Sequence, residues 1–178
     1  PFPGREPKPE EIIRNKPLQC RDAALPRFAI PCRLWYNIPG CLGKVGTAMK
    51  VTVIGCGRWG SFIAWYCDRL GHEVTLYGRP GSAAMARLLA TRQNGLLELP
   101  PPIALSTNLA SLQEARIILI SIGAQNLQGL TEELARQSLK DKVFVLCMKG
   151  LEADTGRRLS QIVSQGLDES NALAVWLG

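Results

Sequence analysis

From position 49 onward the apolar residues gather in short unbroken runs separated by amphipathic stretches. Val51 to Ile54 is a β-branched run suited to a strand buried on both faces. Trp59, Phe62, Ile63, Tyr66 and Leu70 then recur at helical spacing and mark one apolar face of a helix, which Gly71 is well suited to end in a left-handed conformation. "EVTLY" (73–77) reads as a second strand and "GSAAMARLLATRQ" (81–93) as a helix, with the triple proline 100–102 as an irregular connection. "ARIILISI" (115–122) is a third strand, and "QNLQGLTEELARQ" (125–137) a helix aligning Leu127, Leu130 and Leu134. "VFVLC" (143–147), "TGRRLSQIVSQ" (155–165) and "ALAVW" (172–176) complete the series as strand, helix and strand. Strands that are nearly all apolar and alternate with helices predict an α/β fold: a Rossmann-type, doubly wound parallel sheet covered on both faces.

The first 48 residues break this rhythm. They hold eight of the twelve prolines and no methionine, and they sustain neither a strand nor a helix period. Met49 stands immediately before the first strand. The domain is therefore expected at 49–178, with 1–48 a non-native or flexible leader on which Trp35 and Tyr36 ride. The leader has acidic residues, no serine and no continuous apolar core, so it reads poorly as a targeting peptide.

Composition narrows the function. A chain of 178 residues with ordinary apolar content buries one core. Its net charge of +6 is scattered, forming neither a nucleic-acid stripe nor a polybasic membrane anchor, and a small anionic ligand fits better. The six cysteines (20, 32, 41, 56, 67 and 147) lack C-x-x-C pairs and metal spacing, and read as reduced thiols of a cytoplasmic protein. No apolar run approaches the ~20 residues that span a membrane.

The chemistry concentrates in "GCGRWGS". Gly55, Gly57 and Gly60 form G-x-G-x-x-G between a strand and a helix. The first glycine permits the tight turn, the second lets backbone approach a pyrophosphate, and the third lets helix and strand pack closely. The pyrophosphate then meets the free amides and positive dipole end of the helix. An NAD enzyme usually carries an acid about 20 residues on, to hold the ribose 2′-hydroxyl. Here "YGRPG" puts Arg79 at that place, and an arginine pairs with a 2′-phosphate, so NADP is expected at least as well as NAD. His72, the only histidine, falls at the opposite end of the sheet from this turn, and Asp154 is a candidate N-cap for the helix predicted at 155–165, with Glu152 another helix N-terminal carboxylate.

"GCGRWGS" followed by "GHEVTLYGR" resembles the amino-terminal domain of the NAD(P)-dependent glycerol-3-phosphate dehydrogenases, whose opening reads G-x-G-x-W-G-[ST]. The likeness continues through "RQNGLLELPPPIALSTNL", "ARIILISIGAQ" and "VLCMKGLEADTGRRLS". It implies hydride transfer between a nicotinamide and dihydroxyacetone phosphate, giving glycerol 3-phosphate for phospholipid synthesis. The resemblance together with the glycine turn gives a cofactor-binding set of Gly55, Gly57, Arg58, Trp59, Gly60, Ser61, Arg79 and Gly123, and it makes Lys149 a substrate-binding residue. It also implies that the general acid or base is a lysine in a helical domain beyond Gly178, so that residues 49–178 alone turn over little, and that the full-length protein pairs as a homodimer. One departure stands out: Gly123 occupies the place of the family's proline, giving a looser turn. Two other readings share the fingerprint: a ketopantoate reductase or β-hydroxyacid dehydrogenase, and a non-catalytic dinucleotide-binding module.

Overall fold

The structure is a computed structural model that describes residues 47–176; the predicted leader lies almost wholly outside the described residues. Strand β1 (Lys50–Ile54) is followed by helix α1 (Arg58–Arg69), β2 (Glu73–Tyr77), α2 (Ala83–Thr91) and β3 (Ala104–Ser106). A 3₁₀ turn (Leu109–Glu114) leads to β4 (Ile117–Ile120), and a second (Ala124–Asn126) opens α3 (Leu127–Ala135). The chain continues through β5 (Val143–Leu146), α4 (Leu159–Ser164) and β6 (Ala172–Val175). All strand pairs are parallel, in the order β3-β2-β1-β4-β5-β6. This is a Rossmann sheet, and its strand order reverses between β1 and β4, the place where such sheets bind ligands beyond the carboxyl ends of their strands.

Alternate residues of each strand feed two cores, as the pleat requires. Val51, Val53, Val74 and Leu76 pack with Ile63, Met85 and Leu88 of α1 and α2. On the other face Ile54, Ile118, Ile120 and Phe144 meet Leu127, Leu130 and Leu134 of α3 and Ile162 of α4. The leucines aligned by sequence on α3 are buried as expected.

Three expectations are corrected. The aromatic stripe of α1 is not its buried face: Trp59, Phe62 and Tyr66 remain 48, 40 and 41% exposed, while Gly60, Ser61, Ile63 and Ala64 meet the sheet. Small residues let the helix axis approach β1 closely, so the bulky rings turn aside and stack on one another. Trp59 stacks on Phe62 and lies tilted by 35° against Trp176, each with ring centroids 5.5 Å apart. The second correction is β3, which is short and follows the proline turn; Arg92 ties that turn down by donating to the carbonyls of Leu99, Pro100 and Ile103. The third is α4, which starts at Leu159 rather than near 155. Leu151 pairs with Arg158, and Glu152 forms a 3.0 Å ion pair with Arg157 and accepts from Thr155, so 151–158 folds into a clasped turn. Asp154 sits within that turn and caps nothing; Arg158 occupies the N-cap position.

Candidate dinucleotide cleft

A cleft of about 550 Å³ opens where the strand order reverses, lined by Gly55, Gly57, Arg79 and Gly123 together with residues from the start of α3. Each glycine of the fingerprint has a separate physical reason to be there. Gly55 has φ +114°, and a Cβ on it would lie 2.0 Å from the Ser121 carbonyl oxygen. Gly60 permits α1 to cross over β1, since its Cβ would fall 1.8 Å from the Gly55 oxygen. Gly57 differs from both: its φ of −72° suits any residue, and an added Cβ would meet no protein atom within 4 Å. The backbone there is bare toward the cleft at the N-terminus of a twelve-residue helix. A pyrophosphate fits this cradle, because the first amides of α1 have no intrahelical partner and no acidic side chain stands in the first turn to repel an anion.

The remaining sequence-predicted residues divide around this cradle. Arg79, exposed at the end of β2, lines the cleft where the acid of an NAD enzyme would stand, close to Ser82, the N-cap of α2. Gly123 lines it from the turn after β4, with an ordinary φ of −64°. Arg58 and Trp59 line an adjoining apolar groove with Phe62, Trp65, Leu96 and Leu97. Ser61 is fully buried and donates to the Cys56 carbonyl at 3.4 Å, so its hydroxyl faces the loop rather than the cleft. Lys149 is exposed in the loop after β5, outside the residues that line the cleft.

Sequence reasoning missed what places that loop. Gln125 accepts from Ala153 N–H at 3.0 Å and donates to the Leu151 carbonyl at 3.2 Å, holding the Lys149 loop against the turn after β4. The next residue, Gly150, adopts φ +125°, and its Cβ would come within 3.4 Å of Ala124. The loop that carries Lys149 is thereby held at the carboxyl side of the sheet, with Gly150 against Ala124.

Burial pushes the Cys67 thiol up to about 11 and the Cys147 thiol to about 12, and these two, with Cys56, are free thiols. His72 precedes β2 at the far end of the sheet, where burial lowers its pKa. No helix among the described residues is long and apolar enough to cross a membrane.

A parallel sheet in this order, with an anion cradle at its switch point and an arginine at the end of β2, defines a dinucleotide-binding domain. Residues 50–178 match the family model "NAD-dependent glycerol-3-phosphate dehydrogenase N-terminus", and the chain belongs to that family. It is 30% identical over 134 residues to the glycerol-3-phosphate dehydrogenase [NAD(P)+] of Thermoanaerobacter sp. strain X514, covering 73% of this chain and 40% of the relative. It is 34% identical over 119 residues to that of Bradyrhizobium diazoefficiens, covering 65% of this chain and 36% of the relative. Among solved structures, the glycerol-3-phosphate dehydrogenase of Coxiella burnetii superposes with a TM-score of 0.65 at 21% identity, over 72% of this chain and 40% of the other. The chain thus spans about two fifths of the length of these relatives.

Proposed function

We propose that this chain is the cofactor-binding part of an NAD(P)-dependent sn-glycerol-3-phosphate dehydrogenase, acting on dihydroxyacetone phosphate and glycerol 3-phosphate in the cytoplasm. The observation that carries the reading is Gly57: neither its backbone angles nor its protein neighbours require a glycine, yet it opens on the cleft at the N-terminus of α1. Gly55 and Gly60 shape the loop, and the amides that open α1, Arg58 and Trp59 among them, receive the pyrophosphate, with Ser61 bracing the loop from beneath. Arg79 pairs with a 2′-phosphate where one is present, so that both NADP and NAD are accepted. Gly123 borders the nicotinamide half. When bound, the nicotinamide supplies the hydride chemistry.

Lys149, held at the rim by the Gln125 clamp, offers the cation for a phosphorylated three-carbon substrate. Hydride transfer requires the reacting atoms to be positioned and the developing charge on the carbonyl oxygen to be stabilised. Among the described residues no acid or base lines the cleft on the nicotinamide side, so residues 49–178 on their own bind but turn over little. The region that relatives add supplies the missing groups, and the complete protein works as a homodimer.

The test is a titration of the NADPH-saturated chain with dihydroxyacetone phosphate, followed by NMR, alongside an assay of NADPH oxidation. Substrate-dependent shifts around Lys149 that vanish in Lys149→Ala, without turnover, are expected. Steady NADPH oxidation by this chain alone would overturn the claim that further groups are needed. Absence of any shift would overturn the role of Lys149.

A further inference from the structure

Two loops leave the carboxyl end of the sheet side by side, one in the wall of the cleft and one beyond it. The turn 121–126 after β4 lines the cleft at Ser121, Ile122, Gly123, Gln125 and Asn126, whereas the loop 148–154 after β5 contributes no residue to that lining. Their backbones part at the last ladder bond between the two strands, from Cys147 N–H to the Ile120 carbonyl at 2.8 Å. Beyond it, among the described residues, the hydrogen bonds that join the two loops are both made by the Gln125 side chain. Its Oε1 accepts from Ala153 N–H at 3.0 Å and its Nε2 donates to the Leu151 carbonyl at 3.2 Å, so both ends of the amide are engaged at once. No residue of 121–126 or 148–154 is fully buried, and each loop contains a glycine, so the core does little to fix either path.

One amide that holds both a donor and an acceptor of a loop fixes the direction of that loop as well as its distance, because both bonds are satisfied in a single position. The backbone of Gln125 belongs to the 3₁₀ turn Ala124–Asn126, so whatever fixes this turn also fixes the loop that carries Lys149. A dinucleotide in the cleft lies against the turn and does not reach the loop. Resting on the dinucleotide reading above and on the role given there to Lys149, we propose that Gln125 is a positioning residue that couples the two halves of the site. The dinucleotide orders the Lys149 loop through the Gln125 amide, and a phosphorylated substrate held by Lys149 tightens the dinucleotide in return. Such coupling is reciprocal, because each ligand orders a segment that the other would otherwise have to order alone.

The experiment follows amide hydrogen exchange of the full chain with and without saturating NADPH, in wild type and in Gln125→Met. Methionine keeps the length of the side chain and can make neither bond well. Gln125 is exposed, so the unfolding temperature of the variant should not move. In wild type NADPH should slow exchange both at the glycine turn, 56–60, and at 150–152 in the Lys149 loop, the latter by about fivefold, the low end of coupling between sites. In Gln125→Met only the glycine turn should slow. A second arm titrates glycerol 3-phosphate, to which NADPH cannot pass a hydride because both are already reduced. NADPH should improve the affinity of wild type for it about fivefold more than that of Gln125→Met; repulsion between the two anions is common to both chains and drops out of the comparison. Slowing at the glycine turn but not at 150–152 in wild type, equal slowing of the loop in Gln125→Met, or the same change of glycerol 3-phosphate affinity in both chains overturns the coupling while leaving the dinucleotide site standing. No slowing anywhere in the folded wild-type chain overturns both.

Discussion

Two glycines of the fingerprint, three positions apart, should respond to the same substitution in opposite ways. In Gly60→Ala the new methyl group would stand 1.8 Å from the Gly55 carbonyl oxygen, so α1 must move away from β1. Forcing a group into a packed contact costs about 1–3 kcal/mol, which at roughly 4 °C per kcal/mol lowers the unfolding temperature by about 4–12 °C. In Gly57→Ala the methyl group has no protein neighbour within 4 Å, and the φ of −72° and ψ of −175° suit alanine, so stability should stay within about 1 kcal/mol of wild type. That methyl group nevertheless occupies the surface on which the pyrophosphate would rest in the proposed site. Losing two charge-assisted hydrogen bonds of at least ~1.5 kcal/mol each weakens dinucleotide binding about a hundredfold or more. Thermal unfolding and calorimetric titration of the two variants side by side separate the effects. A Gly57→Ala chain that binds NADPH as tightly as wild type, or that loses as much stability as Gly60→Ala, would refute the division of roles.

Further outcomes follow from the loops at the carboxyl side of the sheet. Gly123 has φ −64°, within the range of a proline ring, so Gly123→Pro should raise stability by about 0.4–1 kcal/mol, read from the urea midpoint. Thr155 and Arg157 hold the Glu152 carboxyl below the usual carboxylate range. A carboxylate whose folded pKa is depressed contributes stability above its unfolded value of about 4.5, and that contribution is lost as pH falls through the folded value. Glu152→Gln should therefore be less stable than wild type at pH 7, with the gap closing as the pH falls below the unfolded value of about 4.5 and through the depressed folded one, as measured by unfolding temperature against pH. Cys147 should react with a thiol reagent at pH 8 only after the domain is unfolded, because it is buried and held protonated, whereas the half-buried Cys67 should react slowly in the folded chain.

The strands were legible because burial on both faces leaves an unmistakable apolar run, as in "VTVI" and "IILI". β3 was not: it has three residues, none fully buried, and gains its place only by pairing with β2 after the proline turn. The stripe on α1 shows the limit of periodicity, which finds an apolar face without saying whether it meets the sheet or other rings. Gly60 and Ala64 were the better clue, since close approach to a sheet demands small residues. The clasp of Glu152 with Arg157 shortened α4 because a local ion pair and backbone pairing outweighed helix propensity. At the site, the glycines and Arg79 stand together in the sequence and could be read from it. Gln125 could not, since the sheet order alone brings it opposite residues distant in the chain.

On the proposed reading, the cleft at the β1–β4 switch point takes an NAD(P) dinucleotide with Arg79 on its 2′-phosphate. Calorimetric titration of the folded chain with NADPH and, separately, NADH tests it most directly, with Arg79→Ala in parallel. Saturable binding of both is expected, with a selective loss of NADPH affinity, about tenfold or more, in Arg79→Ala. A folded chain that binds neither dinucleotide, or an Arg79→Ala variant that weakens NADH and NADPH equally, would contradict it.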